Sequence, residues 1–317
     1  MGNLYSGPMP TPRIAVVGSA NVDLTVFTDD FPRPGETIFG SRFDLGFGGK
    51  GANQAAAARL CGAEVTMVAR VGDDLFGPAT VGNFEALGID ARHVRVTAGV
   101  STGVAPILVD SAGQNRIIVV KGANDRLSPA DVEAAAEEIA RADVLILQLE
   151  VPLDTVYHAV AFARDHGIRC ILNPAPGQRL DAARLARLDY LVPNETEAEL
   201  MTGLPVRAIE EAARCAEHLR ATGVGCAIVT LGSRGAVMCG RHGTQHVPAV
   251  AVETVDSTGA GDAFIGSFAT FLGEGLDEIA AVRRANLYAA LSTTNVGTQK
   301  SFVGRAAFDA ASKDTKA

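Results

Sequence analysis

Short apolar runs that lack polar alternation recur along this chain, and they leave it few folds to adopt. RIAVVG (13–18), EVTMVARVG (64–72), DVLILQLE (143–150), IRCILNP (168–174) and CAIVTLG (226–232) are near-continuously hydrophobic. A strand that is apolar on both faces needs cover on both faces, which a parallel sheet between two helical layers supplies. The intervening segments are helix formers: ANQAAAARL (52–60), FGPATVGNFEALG (76–88), SPADVEAAAEEIARA (128–142), LDTVYHAVAFARDHG (153–167), ETEAELMTG (195–203) and IEEAARCAEHLRATG (209–223). A short helix DAARLARL, a strand DYLVPN and a meander GAVMCGRHGTQHVPAVAV complete the alternation. The expected fold class is therefore α/β. At 317 residues and 47% hydrophobic, the chain suffices for one large core. We draw a single α/β domain over 12–312, with 1–11 as a flexible N-terminal extension and 313–317 as a tail.

Two stretches, 20–46 and 100–120, interrupt the rhythm. The first overlaps the end of the strand candidate RIAVVGSANVDLTVF (13–27) and continues with apolar and polar residues alternating between Pro and Gly breaks. The second carries DSAGQN, a hairpin turn signal, between two apolar runs. Both leave from strand ends, where ligands of open α/β sheets sit, so together they predict a small β lid. The charge is −8 with no basic run, which argues against nucleic acid as a partner. Five dispersed cysteines (Cys61, Cys170, Cys215, Cys226, Cys239) fit buried thiols in a reducing compartment. No leader pattern and no run near ~18 apolar residues is present, so a cytoplasmic protein without a membrane partner is expected.

The chemistry concentrates in glycine-rich turns. DSTGAGDAF (256–264) places Asp262 behind Gly259-Ala260-Gly261 and ahead of an apolar helix, FIGSFATFLGEG. The first turn of such a helix offers unpaired amides to a phosphoryl group, and Asp262 stands where it could deprotonate an attacking hydroxyl; acids also simply favour first turns. GFGGKGANQ (46–54) satisfies G-x-G-x-x-G through Gly46, Gly48 and Gly51, but no buried strand precedes it, and no Ser or Thr follows Lys50 as a P-loop requires. It reads instead as a turn bringing backbone, Lys50 and Asn53 together around a polyhydroxylated ligand. In GSANVD, Asn21 and Asp23 stand two apart and share a strand face. Glu150 ends the run LILQLE. In PNETEAE, Asn194 and Glu197 at i, i+3 suit an indirect Mg²⁺ contact, or simply a capped helix start. TLGSRG (230–235) is a strand followed by a glycine turn, reasonable for a nucleotide.

GGKGANQAAAARLCGA and DSTGAGDAF resemble the two signatures of the PfkB-type carbohydrate kinases. GSANVD, STGVA, QLE, NPAP, PNETEAE and TLGSRG follow the order and approximate spacing of the ribokinase branch over about 13–308. The resemblance implies a ribokinase-like, Rossmann-like domain whose mostly parallel sheet carries a β lid that doubles as a homodimer clasp. It implies ATP + D-ribose giving ADP + D-ribose 5-phosphate, with Mg²⁺ accompanying ATP. Asn21, Asp23, Gly49, Lys50, Gly51, Asn53 and Glu150 would hold the sugar. Asn194, Glu197, Thr230, Gly232, Ser233, Gly235, Gly261 and Asn286 would meet the nucleotide. Asp262 would be the base, and Gly259, Ala260 and Gly261 the anion hole. A monovalent cation such as K⁺ would sit on Asp256, Thr258, Ser292, Asn295, Gly297 and Ser301, mostly through backbone oxygens, and hold the anion-hole turn.

Three positions depart from that pattern. Asn286 replaces a common histidine near adenine, Asn295 a common arginine, and Lys121 a small residue near the lid. Kinases acting on deoxyribose, another sugar or a nucleoside remain alternatives. A non-catalytic sugar-binding regulator and an NAD-dependent oxidoreductase are more distant ones.

Overall fold

The computed structural model describes residues 11–314. Their strands, numbered β1–β13 in chain order, form two sheets. The central, nine-stranded sheet runs β13 (Gly243–Val247), β12 (Ala236–Gly240), β11 (Cys226–Thr230), β10 (Tyr190–Leu191), β9 (Arg169–Leu172), β8 (Val144–Leu147), β1 (Arg13–Val17), β4 (Glu64–Gly72), β5 (Asp90–Thr97). Pairing is parallel from β11 through β5, while β12 and β13 are antiparallel additions at one edge. The apolar runs behave as their two-sided hydrophobicity demands. In β1, Ile14 and Val16 pack into one core cluster and Ala15 and Val17 into the other, on opposite faces of the sheet. The chain order reverses beside β1, between β4 on one side and β8 on the other, which opens a crevice at the carboxyl ends of these strands.

The second sheet holds β3 (Arg42–Gly48), β2 (Asn21–Phe27), β6 (Gly103–Val109) and β7 (Asn115–Ile117), in that order. These strands fall in the two stretches that break the α/β rhythm, β3 running two residues past 46, and residues 28–41 between β2 and β3 form a loop. The reading of 13–27 as one strand is corrected: the chain leaves β1 at Val17, and Asn21 and Asp23 belong to the lid strand β2. The cause is crowding at Gly18–Asn21, which crosses directly over the start of the Lys50–Leu60 helix. A Cβ on Gly51 would lie 2.6 Å from the Ser19 nitrogen, and one on Gly49, at φ 86°, 2.8 Å from the Asn21 nitrogen.

SPADVEAAAEEIARA splits at Ala135 into helices Pro129–Ala134 and Ala136–Ala140. Strand β5 and the helices Glu278–Ser292 and Arg305–Asp314 carry no assignment in the sequence reading; the last extends past the boundary drawn at 312. Of the terminal segments, 1–10 and 315–317 lie outside the described residues. No helix among the described residues is long and apolar enough to cross a membrane.

The Lys50–Leu60 helix is buried along almost its whole length, and its alanines have a packing reason. It crosses the Ala260–Gly273 helix so closely that a Cβ on Gly266 would lie 2.4 Å from the Gln54 carbonyl and 2.7 Å from the Ala57 Cβ. Small residues at this crossing let the polar start of one helix reach the polar start of the other.

Candidate active site

Asp262, 6% exposed, sits in the first turn of the Ala260–Gly273 helix. Gly259 caps that helix in the left-handed region at φ 79°, and Thr298 packs where its Cβ would be. Both oxygens of Asp262 accept amide protons across the helix crossing, Oδ2 from Asn53 Nδ2 and Oδ1 from Gln54 Nε2, each at 2.9 Å. The amides are themselves held. Gln148 Nε2 donates to Gln54 Oε1 at 2.7 Å, and Gln299 Nε2 donates to Asn53 Oδ1 at 3.1 Å. Asn53 was identified from its motif; Gln54, Gln148 and Gln299 were not. The available signal was a glutamine inside an alanine helix and another inside a continuous apolar strand, since a buried amide must have partners.

The carboxylates expected at the sugar site gather near Asp262. Glu150 Oε2 accepts from Ser19 Oγ at 2.6 Å and from the Lys50 N–H at 3.0 Å, so one oxygen anchors the start of the Lys50–Leu60 helix. Gly51 N–H donates to Ser19 Oγ at 3.2 Å, which makes Ser19 a further link that motif reading missed. Asp23 is pushed up to about 7 by burial, then by the charges of Glu150 and Asp262. Lys50 moves upward, chiefly through Asp262, against the opposing effect of burial. Around Asn21 and Asp23 the lid sheet is cleared of side chains. Their partners in β3 are Gly48 and Gly46, and in β6 Gly103 and Ala105. A Cβ on Gly48 would lie 2.3 Å from Asp23 Oδ2.

Two cavities meet at Asp262's helix. One, of about 200 Å³, is lined by Lys50, Asn194, Glu197, Gly259 and Asp262. The other, of about 540 Å³, is walled by Val250, Val252, Phe264 and Ala289 and reached by Gly232, Ser233, Gly235 and Asn286. Thr230 and Gly261 border both. Among the described residues, nothing beyond its chain neighbours and its own helix backbone lies within 4 Å of where a Gly261 Cβ would be, so packing does not demand glycine there. Asn286 Nδ2 donates to the Val247 and Pro248 carbonyls, leaving its Oδ1 as the acceptor on offer. Ala260 N–H is engaged by the Ser257 carbonyl at 3.2 Å, so the open amides of the turn are those of Gly259, Gly261 and Asp262.

Asn194 is the N-cap of the Glu195–Thr202 helix and forms a reciprocal capping box with Glu197, rather than sharing a helix face with it. Only one Glu197 oxygen is engaged by the cap, and burial raises this carboxyl above its ordinary range. A buried carboxylate with a vacant oxygen facing the smaller cavity fits a water-mediated Mg²⁺ contact. Of the expected cation residues, Asp256 joins two loops. Its Oδ1 accepts from Thr258 N–H and hydroxyl, and its Oδ2 from Gly297 N–H at 2.9 Å. Ser292 and Ser301 hydroxyls donate to Ala289 and Thr298 carbonyls, while Asn295 is exposed and reaches only Thr294. Lys121 is exposed and pairs with Asp125 at 3.6 Å.

The comparisons with known proteins bear on this geometry. A family model described as pfkB family carbohydrate kinase matches residues 11–303. The chain belongs to the PfkB family of carbohydrate kinases. Among PfkB relatives, a deoxyribokinase of Salmonella typhi is 46% identical over 290 residues, covering 91% of this chain and 95% of its own. A ribokinase of Bacillus subtilis is 40% identical over 287 residues, covering 90% and 94%. The solved structure of Arabidopsis thaliana ribokinase, complexed with ribose and ATP, superposes with a TM-score of 0.88 at 30% identity, covering 95% of this chain and 98% of that one. PfkB membership makes this chain an ATP-dependent carbohydrate kinase, with Mg²⁺ accompanying the nucleotide.

Proposed function

We propose that this kinase transfers the γ-phosphate of ATP to the terminal 5-hydroxyl of D-ribose. The observation that carries the reading is the position of Asp262, between the hydroxyl-binding cluster of Asn21, Asp23, Lys50 and Glu150 and the amides of a helix start that opens onto the apolar cavity. Asp262 accepts the proton of the attacking hydroxyl, the hydroxyl oxygen bonds to the γ-phosphorus, and the bridging oxygen leaves with ADP. The Gly261 and Asp262 N–H groups and the Lys50 ammonium face the charge that develops. One lost anion-hole donor typically costs ~3 kcal/mol in the barrier, and general-base help is worth roughly 10²–10⁴-fold. Mg²⁺ bound with ATP would neutralise phosphate charge, with Glu197 holding its water shell. The apolar cavity suits adenine, and closure of the lid would exclude water.

The packing of Thr298 against Gly259 gives the cation loop a physical role, because an ion held by the 256–258 and 293–301 segments would stiffen the anion-hole turn. Exposed Ile117, Ile118, Val119 and Val120 on the lid support a homodimer clasp. The unpaired, buried state of all five cysteines supports a reducing, cytoplasmic setting. A second reading, 2-deoxyribose as the substrate, is favoured by the 46% identical deoxyribokinase.

A coupled ADP-release assay over ribose, 2-deoxyribose, other pentoses, hexoses and nucleosides, with and without K⁺, tests the proposal. Ribose should give the highest kcat/KM. A nucleoside or hexose in that place would overturn the pentose reading.

A further inference from the structure

Asn124 stands outside every residue assigned above, yet it is 1% exposed and its amide is held in one orientation by main chain. Its Oδ1 accepts from the Ala20 N–H at 2.9 Å, and its Nδ2 donates to the Ala20 carbonyl at 3.2 Å. A main-chain N–H only donates and a carbonyl only accepts, so the two ends of this amide are not exchangeable. Asn124 Nδ2 also donates to the Asn21 side chain at 2.7 Å, and the atom it meets must therefore be the oxygen, Oδ1. Asn21 is locked with its Nδ2 turned away from Asn124. Among the described residues that Nδ2 has no acceptor, and it lies on the face of β2 that carries Asp23.

We infer that Asn124 is a positioning residue: it fixes the Asn21 amide as a donor beside the Asp23 acceptor, so the site selects a sugar hydroxyl over the matching deoxy carbon. A hydroxyl accepts and donates at once, and the pair offers it one of each. A deoxy carbon leaves a buried amide donor and a half-buried carboxyl unanswered, a loss that polar sites reject strongly. The neighbours agree with this role. Gly103, Gly46 and Gly48 keep the face open, and a Cβ on Gly103 would lie 2.2 Å from Asn21 Oδ1 and 2.3 Å from Asn124 Nδ2. The inference rests on the pentose reading and names the residue that sets its preference between the two pentoses.

The measurement is the ratio of kcat/KM for ribose to that for 2-deoxyribose. Asn124→Asp keeps an acceptor for Ala20 N–H but replaces the donor to Asn21 with an oxygen, which turns the Asn21 amide over. The ratio should fall about ten- to a hundredfold. Asn21→Leu should lower it similarly, and the double variant no further, since both remove one interaction. Gly103→Ala, which wedges the pair apart while leaving both amides in place, should lower it too and carries the test if Asn124→Asp does not fold. A folded Asn124→Asp or Gly103→Ala protein with the wild-type ratio would overturn the inference, as would additive effects in the double variant. A wild-type protein inactive on both pentoses would overturn the pentose reading and this inference with it; pentose activity with an unmoved ratio overturns the inference alone.

Discussion

Replacing Asp262 with asparagine removes one charge and one acceptor from a site where both oxygens are in use. In the native structure each oxygen takes an amide proton at 2.9 Å, one from Asn53 and one from Gln54. An asparagine side chain has a single acceptor, so its NH₂ group meets one of these donors head-on. Neither neighbour can turn over without losing another bond, because Gln148 holds Gln54 Oε1 and Gln299 holds Asn53 Oδ1. The structural cost is thus about one hydrogen bond to a charged group, ~1.5–3 kcal/mol. Loss of repulsion among Asp23, Glu150 and Asp262 offsets part of it. The catalytic cost is larger: without a base, kcat should fall roughly 10²–10⁴-fold, with sugar affinity little changed. Initial rates at saturating ATP and ribose, sugar titration by calorimetry and a thermal melt separate the effects. A folded Asp262→Asn protein within tenfold of wild-type kcat would remove the base assignment, and an unchanged melting temperature would refute the locked-amide argument.

Two other outcomes follow from the same geometry. Asp23 lies at about 7 in the folded protein against an ordinary 3.8; being raised, it contributes stability that is fully present below about 3.8 and is lost as pH rises through about 7. Urea midpoints of the unliganded protein should therefore show a decline across that window that Asp23→Asn flattens, and an identical profile in the variant would count against it. Gly51→Ala and Gly261→Ala should part company. The first drives a Cβ to 2.6 Å from the Ser19 backbone and should cost ~1–3 kcal/mol in a denaturant melt. The second meets no described atom beyond its own helix and chain neighbours and should keep wild-type stability while lowering kcat/KM for ATP up to about a hundredfold, the approximate cost of a ~1 Å misplacement. Equal stability losses in the two would refute the distinction.

Much of the molecule was legible before any coordinates. Glycines ahead of an apolar helix point to a helix start with open amides, and they led to Gly259, Gly261 and Asp262 as candidates. GGKGAN was recognisable as a close approach of backbone, although only the structure identified the partner as the Gly18–Asn21 crossing. The division of 13–27 between two sheets was only half legible: the lid stretch was drawn from 20, but both halves are good strands and the single strand candidate ran through the change of direction. Asn194 and Glu197 read either as a pair toward Mg²⁺ or as a capped helix start, and the structure shows the cap, because an N-cap lies outside the helical repeat and the two residues bind each other.

Local pattern alone determined the fold class and the position of the helix start, because strand and helix periods and glycine's backbone freedom act within a few residues. Tertiary structure alone decided which amides face Asp262 and which end of the Asn21 amide Asn124 holds. Asn53 and Asp262 are 209 residues apart in the chain, as Asn21 and Asn124 are 103, so their pairing depends on how closely distant helices and strands approach. That approach is set by the small residues at their crossings.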